Sequence, residues 1–127
     1  MTQAAQNRRE YFRLDFLDLT GSIQVVQVGE RFVTTEPKAI QIENVGGGGL
    51  FIQSQDDLMI RRGIRAVFRF AVGGQAFTFH GEFCRKIDDR QTFRYGIEFI
   101  DVDEQARAQL LTILSRIQIE KRGRAGA

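Results

Sequence analysis

Ile64-Arg65-Ala66-Val67-Phe68-Arg69-Phe70-Ala71-Val72-Gly73-Gly74-Gln75-Ala76-Phe77-Thr78-Phe79-His80-Gly81-Glu82-Phe83 is the stretch that decides the fold class. Ala66, Phe68, Phe70 and Val72 share one face of an extended chain, and Phe77, Phe79, Gly81 and Phe83 do the same after the glycine pair. A period of two marks a strand with one face buried, and Gly-Gly suits a tight hairpin turn. Strands are therefore predicted over Ile64 to Val72 and Ala76 to Lys86. Outward from this hairpin, β-branched and aromatic runs predict strands at Ser22 to Val28, Arg31 to Thr35, Lys38 to Glu43, Leu50 to Ser54 and Thr92 to Ile100. Gly29-Glu30 and Asp88-Asp89-Arg90-Gln91 read as turns, the second the looser. Short, evenly spaced strands joined this way predict an antiparallel barrel or sandwich, and a chain this small with so many strands is expected to close on itself.

After Ile100 the period changes. Asp101-Val102-Asp103-Glu104 resembles a helix N-cap, and Ala106, Leu110, Ile113, Leu114 and Ile117 recur at helical spacing. One amphipathic helix is expected over about residues 102–121. Lys121 and Arg122 complement its dipole and Gly123 is expected to end it, leaving 123–127 as a flexible tail. Residues 1–7, polar and without apolar periodicity, are expected to be flexible as well. Between these tails lies one domain, 8–122, with its β part at about 14–100.

A length of 127 residues suits one domain with a real core. Eighteen basic and sixteen acidic side chains leave a net charge of +2, so any basic field is local, which argues against DNA coating. Cys84 is the only cysteine and His80 the only histidine, which excludes an internal disulfide and a structural zinc site and fits a cytoplasmic location. No apolar run is long enough to span a membrane, and the N-terminus lacks the apolar stretch of a signal peptide.

Arg8, Arg9 and Arg13 cluster near the N-terminus. Guanidinium is a planar, permanently charged donor fork that suits phosphate oxygens and the O6/N7 edge of guanine. Arg9 and Arg13 lie within roughly 14 Å of each other even on an extended chain, close enough to bracket one small ligand. Asn44-Val45-Gly46-Gly47-Gly48-Gly49, between two strand-like runs, adds an amide able to read a base edge and a backbone free of Cβ atoms. Together these look like two halves of an anion site for a nucleotide-like ligand. A solubilising basic tail and a turn needing positive φ are the simpler readings of each half.

Arg9-Glu10-Tyr11-Phe12-Arg13 matches the RxxxR element of the PilZ domain family, and Asn44-Val45-Gly46-Gly47-Gly48-Gly49-Leu50 resembles its [DN]xSxxG element. The resemblance continues through Gly81-Glu82-Phe83-Cys84-Arg85 and Tyr95-Gly96-Ile97-Glu98-Phe99 into the terminal helix, from about Arg8 to Lys121. It implies a six-stranded antiparallel β-barrel with a C-terminal helix, and binding of the bacterial second messenger cyclic di-GMP. Carried across, Arg9 and Arg13 grip phosphate and guanine edges, Asn44 reads a guanine edge, and Gly49 keeps the wall open to the base. Arg8 adds charge compatible with a stacked pair of ligands. Gly46 departs from the pattern, which has serine there. The missing hydroxyl bond is worth on the order of 0.5 to 1.5 kcal/mol, or about tenfold in affinity.

Arg61, Arg62 and Arg65 read as a solvated loop before a strand, His80 as a strand-face residue and Cys84 as a small buried hydrophobe. No nucleophile, base and oxyanion arrangement is recognisable, so the chain is expected not to be an enzyme and to carry no metal or cofactor. The leading expectation is a receptor whose arginine segment folds around cyclic di-GMP and signals to a bacterial protein partner in motility, exopolysaccharide or pilus systems. Two other readings stand beside it: a PilZ-like adaptor without nucleotide binding, and a small barrel that binds single-stranded nucleic acid by aromatic stacking.

Overall fold

The structure is a computed structural model and describes residues 11–58, 63–89 and 92–126. Strands β1 (Arg13–Val28), β2 (Arg31–Phe32), β3 (Lys38–Gly46), β4 (Gly49–Ser54), β5 (Arg65–Val72), β6 (Gln75–Asp89) and β7 (Thr92–Ile100) precede helix α1 (Glu104–Gly126). All pairings are antiparallel in the order β2-β1-β3-β4-β7-β6-β5, and β1 also pairs with β5. That last pairing closes six strands into a barrel, with β2 as a short extension beside β1. Closure removes the free edges that an open sheet would expose.

The hairpin quoted above forms as its alternation predicts: Phe68 opposes Phe79, Phe70 opposes Phe77, and Gly73 and Gly74 turn with φ of 56° and 81°. Gly29 turns likewise at 62°. β6 and β7 stay paired up to Asp89 and Thr92; residues 90 and 91 of the expected turn lie outside the described residues.

Three elements depart most from the sequence expectation. β1 begins at Arg13 rather than Ser22, because a bulge between Asp15 and Leu19 breaks the alternation by which a strand is recognised. The second run shrinks to Arg31–Phe32; Pro37 has no N–H for a ladder, and Thr35 instead donates its hydroxyl to Val25 O at 2.8 Å. The helix starts at Glu104, capped by Asp103, whose Oδ1 accepts from the Gln105 N–H at 3.0 Å. It continues through Gly123 to Gly126, so Gly123 does not end it. Arg65, expected in a loop, opens β5 and pairs with Glu82 at 3.1 Å; Arg61 and Arg62 lie outside the described residues.

One core fills the barrel. Tyr95, Phe68, Phe83, Ile42, Leu50, Ile52 and Ile97 are fully buried, as are Leu110 and Leu114 of α1. The helix covers the barrel end that carries the β3–β4 and β5–β6 turns, where Leu111 meets Gly47 and Ile113 meets Gly73. At the other end Tyr95 fastens the connection after β4: its hydroxyl accepts from the Leu58 N–H at 3.0 Å and donates to Asp57 at 3.2 Å. Lys86 holds the same carboxylate at 2.9 Å.

Candidate functional site

Two bulges build the site's wall. On β3, Ile42 opposes Ile52 while Asn44 opposes Phe51, leaving Glu43 as the extra residue. Ile42 and Val45 remain in the core, whereas Glu43 and Asn44 are both half-buried on the outer surface. On β6, Phe83 opposes Ile97 and Arg85 opposes Gly96, so Cys84 is extra and both Cys84 and Arg85 are exposed. Strict alternation would have turned Asn44 and Arg85 inward. With the bulges in place, register aligns Asp15, Asn44, Phe51, Gly96 and Arg85 in one row across β1, β3, β4, β7 and β6.

The two sequence motifs meet at one end of this row. Arg13 opposes Gly46, and its Nη1 donates to Oδ1 of Asn44 at 3.1 Å. With its oxygen engaged, the Asn44 amide offers its NH2 group, which matches the O6 and N7 acceptors of a guanine edge. Arg13, Gly48, Phe51, Arg85, Gly96 and Glu98 line a cleft of about 240 Å3. Gly96 makes its floor flat: a Cβ there would lie 3.3 Å from Arg85 Cβ and 3.4 Å from Phe51 Cε1. Arg94 lies over the Phe51 ring at 4.7 Å and grips Glu43 with two bonds of 2.8 and 3.1 Å. Arg94 is thus committed to a carboxylate, while Arg13 and Arg85 bring positive charge to the cleft, which the Glu98 carboxylate offsets in part. A planar, anionic ligand fits this combination of aromatic edge, flat floor and guanidinium groups.

Phe51, Arg85 and Gly96 were not singled out from sequence as site residues. Gly96 and Arg85 stood within stretches already quoted, but their convergence depends on the bulge at Cys84. Cys84 is itself a correction, because the same bulge exposes it and its Sγ approaches Gly96 O at 3.4 Å.

The glycine run serves a different purpose from the one its composition suggested. None of Gly46, Gly47, Gly48 and Gly49 has positive φ among the described glycines, so turn conformation is not what selects them. Close approach is. A Cβ at Gly46 would lie 2.9 Å from Arg13 Cγ and 3.0 Å from Phe12 O, and one at Gly47 would lie 2.7 Å from the Tyr11 ring. At Gly49 a Cβ would collide with the Ile97 carbonyl, so glycine there permits the β4–β7 contact. Gly46, Gly47 and Gly49 are buried under these neighbours; only Gly48 reaches the cleft. The run is therefore not an open backbone cradle.

Arg8 and Arg9 lie outside the described residues. The described chain begins at Tyr11, whose ring rests on Gly47 and lies 5.0 Å from the Arg107 guanidinium of α1. Arg107 Nη1 also donates to the Tyr11 hydroxyl at 3.0 Å and to Glu104 at 2.9 Å.

A family model for the PilZ domain matches residues 7–116. The chain belongs to the PilZ domain family. No curated protein sequence matches it. Among solved structures, the Bacillus subtilis inhibitor of motility MotI/DgrA superposes with a TM-score of 0.73 at 20% identity, over 91% of this chain and 53% of that one. Escherichia coli YcgR in complex with cyclic di-GMP gives 0.70 at 19% identity, over 94% and 50%. The K. pneumonia MrkH complex with cyclic di-GMP gives 0.68 at 14% identity, over 91% and 53%. The chain spans about half the length of these proteins, and at such identities the likeness is one of fold. The PilZ barrel and its terminal helix are thus shared with proteins captured holding cyclic di-GMP. Among the described residues of this PilZ domain, no three His, Cys, Asp or Glu side chains gather as a metal site. No described helix is long and apolar enough to cross a membrane.

Proposed function

We propose that this PilZ domain is a cyclic di-GMP receptor, without catalytic activity of its own, that acts in the bacterial cytoplasm on a protein partner in motility, exopolysaccharide or pilus systems. The bond from Arg13 to Asn44 is the observation that carries the reading, because it joins the RxxxR and [DN]xSxxG elements, of which Arg13 and Gly48 line one cleft. In this reading Arg9 and Arg13 take phosphate and guanine edges, and Asn44 donates to a guanine edge. Arg8 supplies charge for a second, stacked ligand molecule, while Gly46 and Gly49 let the neighbouring chain close in. Arg85 and Phe51 add a cation and an aromatic edge at the base position. Binding orders the N-terminal segment against the wall and changes the face shown to the partner.

Calorimetric titration with cyclic di-GMP tests this. Low-micromolar or tighter binding, about −8 kcal/mol, is expected, and Arg13→Ala should weaken it by at least roughly thirtyfold. Equal affinity in the variant would remove Arg13 from the site. A second reading rests on Gly46, which stands where the motif has serine: an adaptor that works by protein contact alone. Absence of binding at millimolar ligand, with retained capture of a defined bacterial partner, would favour it.

A further inference from the structure

The RxxxR element holds two arginines apart by three residues, and the proposed site uses only the arginines. Tyr11, between them, is half-buried and held from both the β3–β4 turn and α1. Its ring is packed so closely on Gly47 that any side chain there would strike it, the nearest approach being 2.7 Å. Arg107 lies over the ring at 5.0 Å from its centroid and donates to the hydroxyl at 3.0 Å. Arg107 is in turn held by Glu104, one turn earlier in α1, at 2.9 Å. Its side chain is only 17% exposed, and its Nε is buried with no partner among the described residues. A half-satisfied, largely buried guanidinium is costly unless the contacts it does make are retained. Leu111, from the next turn, meets Gly47 beside the Tyr11 ring.

We propose that Tyr11 is the positioning residue of the ligand site. Its contacts with Gly47 and Arg107 fix where the chain enters β1, and with it the placement of Arg13. The first two turns of α1, and not the barrel alone, then set the placement of Arg13. Reciprocity follows: if α1 holds Arg13 in place for the ligand, the bound ligand must hold α1 in place to the same degree. The helix becomes the element through which occupancy is read on the barrel's covered end. This rests on the cyclic di-GMP reading above for its ligand, though not for the anchoring itself.

Tyr11→Phe removes the hydroxyl bond and keeps the ring; Arg107→Met removes the cation and keeps the stem; Arg107→Lys restores a cation. Each is titrated with cyclic di-GMP, and amide order parameters of Phe12 and Arg13 are measured without ligand. Loss of one neutral or charge-assisted bond should weaken affinity about fivefold to twentyfold in Tyr11→Phe and in Arg107→Met. The double variant should be no weaker than the weaker single one, Arg107→Lys should recover most of the loss, and the order parameters should fall in the two weakened variants. Unchanged affinity in both, with the unmodified protein binding, overturns the proposal even if thermal stability drops. If the unmodified protein does not bind, the ligand reading fails on its own account. The order parameters then decide the anchoring: a fall supports it and no change overturns it.

Discussion

Glycine at position 46 is the departure from the family motif, and its surroundings explain why the residue fits. A Cβ there would press on Arg13 Cγ at 2.9 Å and on the Phe12 carbonyl at 3.0 Å. Arg13 can swing away, but doing so strains its bond to Asn44; the Phe12 carbonyl belongs to the backbone and yields less. Gly46→Ser therefore trades a new hydroxyl donor against the placement of Arg13. The expected result is no gain in cyclic di-GMP affinity and a stability loss of about 1 kcal/mol, within the range for overpacking a tight site. A tenfold tighter complex in calorimetry would show that the missing hydroxyl outweighs the crowding. The identities of Arg13 and Asn44 as partners were readable from residue type and motif, since a fork donor and an amide suit one another and a guanine. Phe51, Arg85 and Gly96 were not, because nothing in their local sequence says which three strands lie side by side.

Among the elements, the connection between β4 and β5 is fastened at Asp57 and Leu58 by a buried phenol. Tyr95 is fully buried, and its hydroxyl serves both Leu58 N and Asp57. Burial pushes the Tyr95 hydroxyl pKa up from 10.0, and the hydrogen-bonded Asp57 carboxylate raises that of Lys86 from 10.5. Both groups hold their protons more tightly folded than unfolded. Their contribution is therefore complete below the unfolded values near 10 and drains away as pH rises past them. Urea unfolding should show a stability that declines above about pH 10, with a smaller decline in Tyr95→Phe. That variant also strands the Leu58 N–H and should cost about 1 to 3 kcal/mol at neutral pH. A variant as stable as the parent would mean that the phenol does not hold this connection. Strands at this scale were legible where alternation was clean, as in β5 and the first half of β6. They were misjudged where it was interrupted: the start of β1 disappeared into its bulge, and β2 was overextended because Thr34 and Thr35 favour strands yet leave the ladder before Pro37, past a backbone bond from the Val33 N–H to Val26 O at 3.0 Å. The helix outran Gly123, since one glycine costs only about 1 kcal/mol and cannot by itself end a helix.

The barrel and α1 share a single core, with Leu110 and Leu114 buried among the same cluster as Phe68, Phe83 and Tyr95. Stability should accordingly be indivisible. Leu114→Ala is expected to lower the unfolding free energy by about 3 kcal/mol and to shift the helix and sheet signals in circular dichroism together. Separate transitions would mean that the helix is a detachable lid. Composition and period settled the class of the molecule: alternating apolar residues have only one way to hide, on the inner face of a closed sheet, and the later helical period has only a barrel mouth on which to lie. The two halves of the candidate site were legible as residue types for the same reason, since guanidinium and amide chemistry belong to the side chain wherever it sits. What depended on tertiary structure was which side chains face outward and what each glycine is for. A bulge reverses every later orientation along its strand, and a glycine forced by a neighbour's carbonyl or ring looks the same in sequence as one forced by a turn; only the register of strands distant in the chain tells them apart.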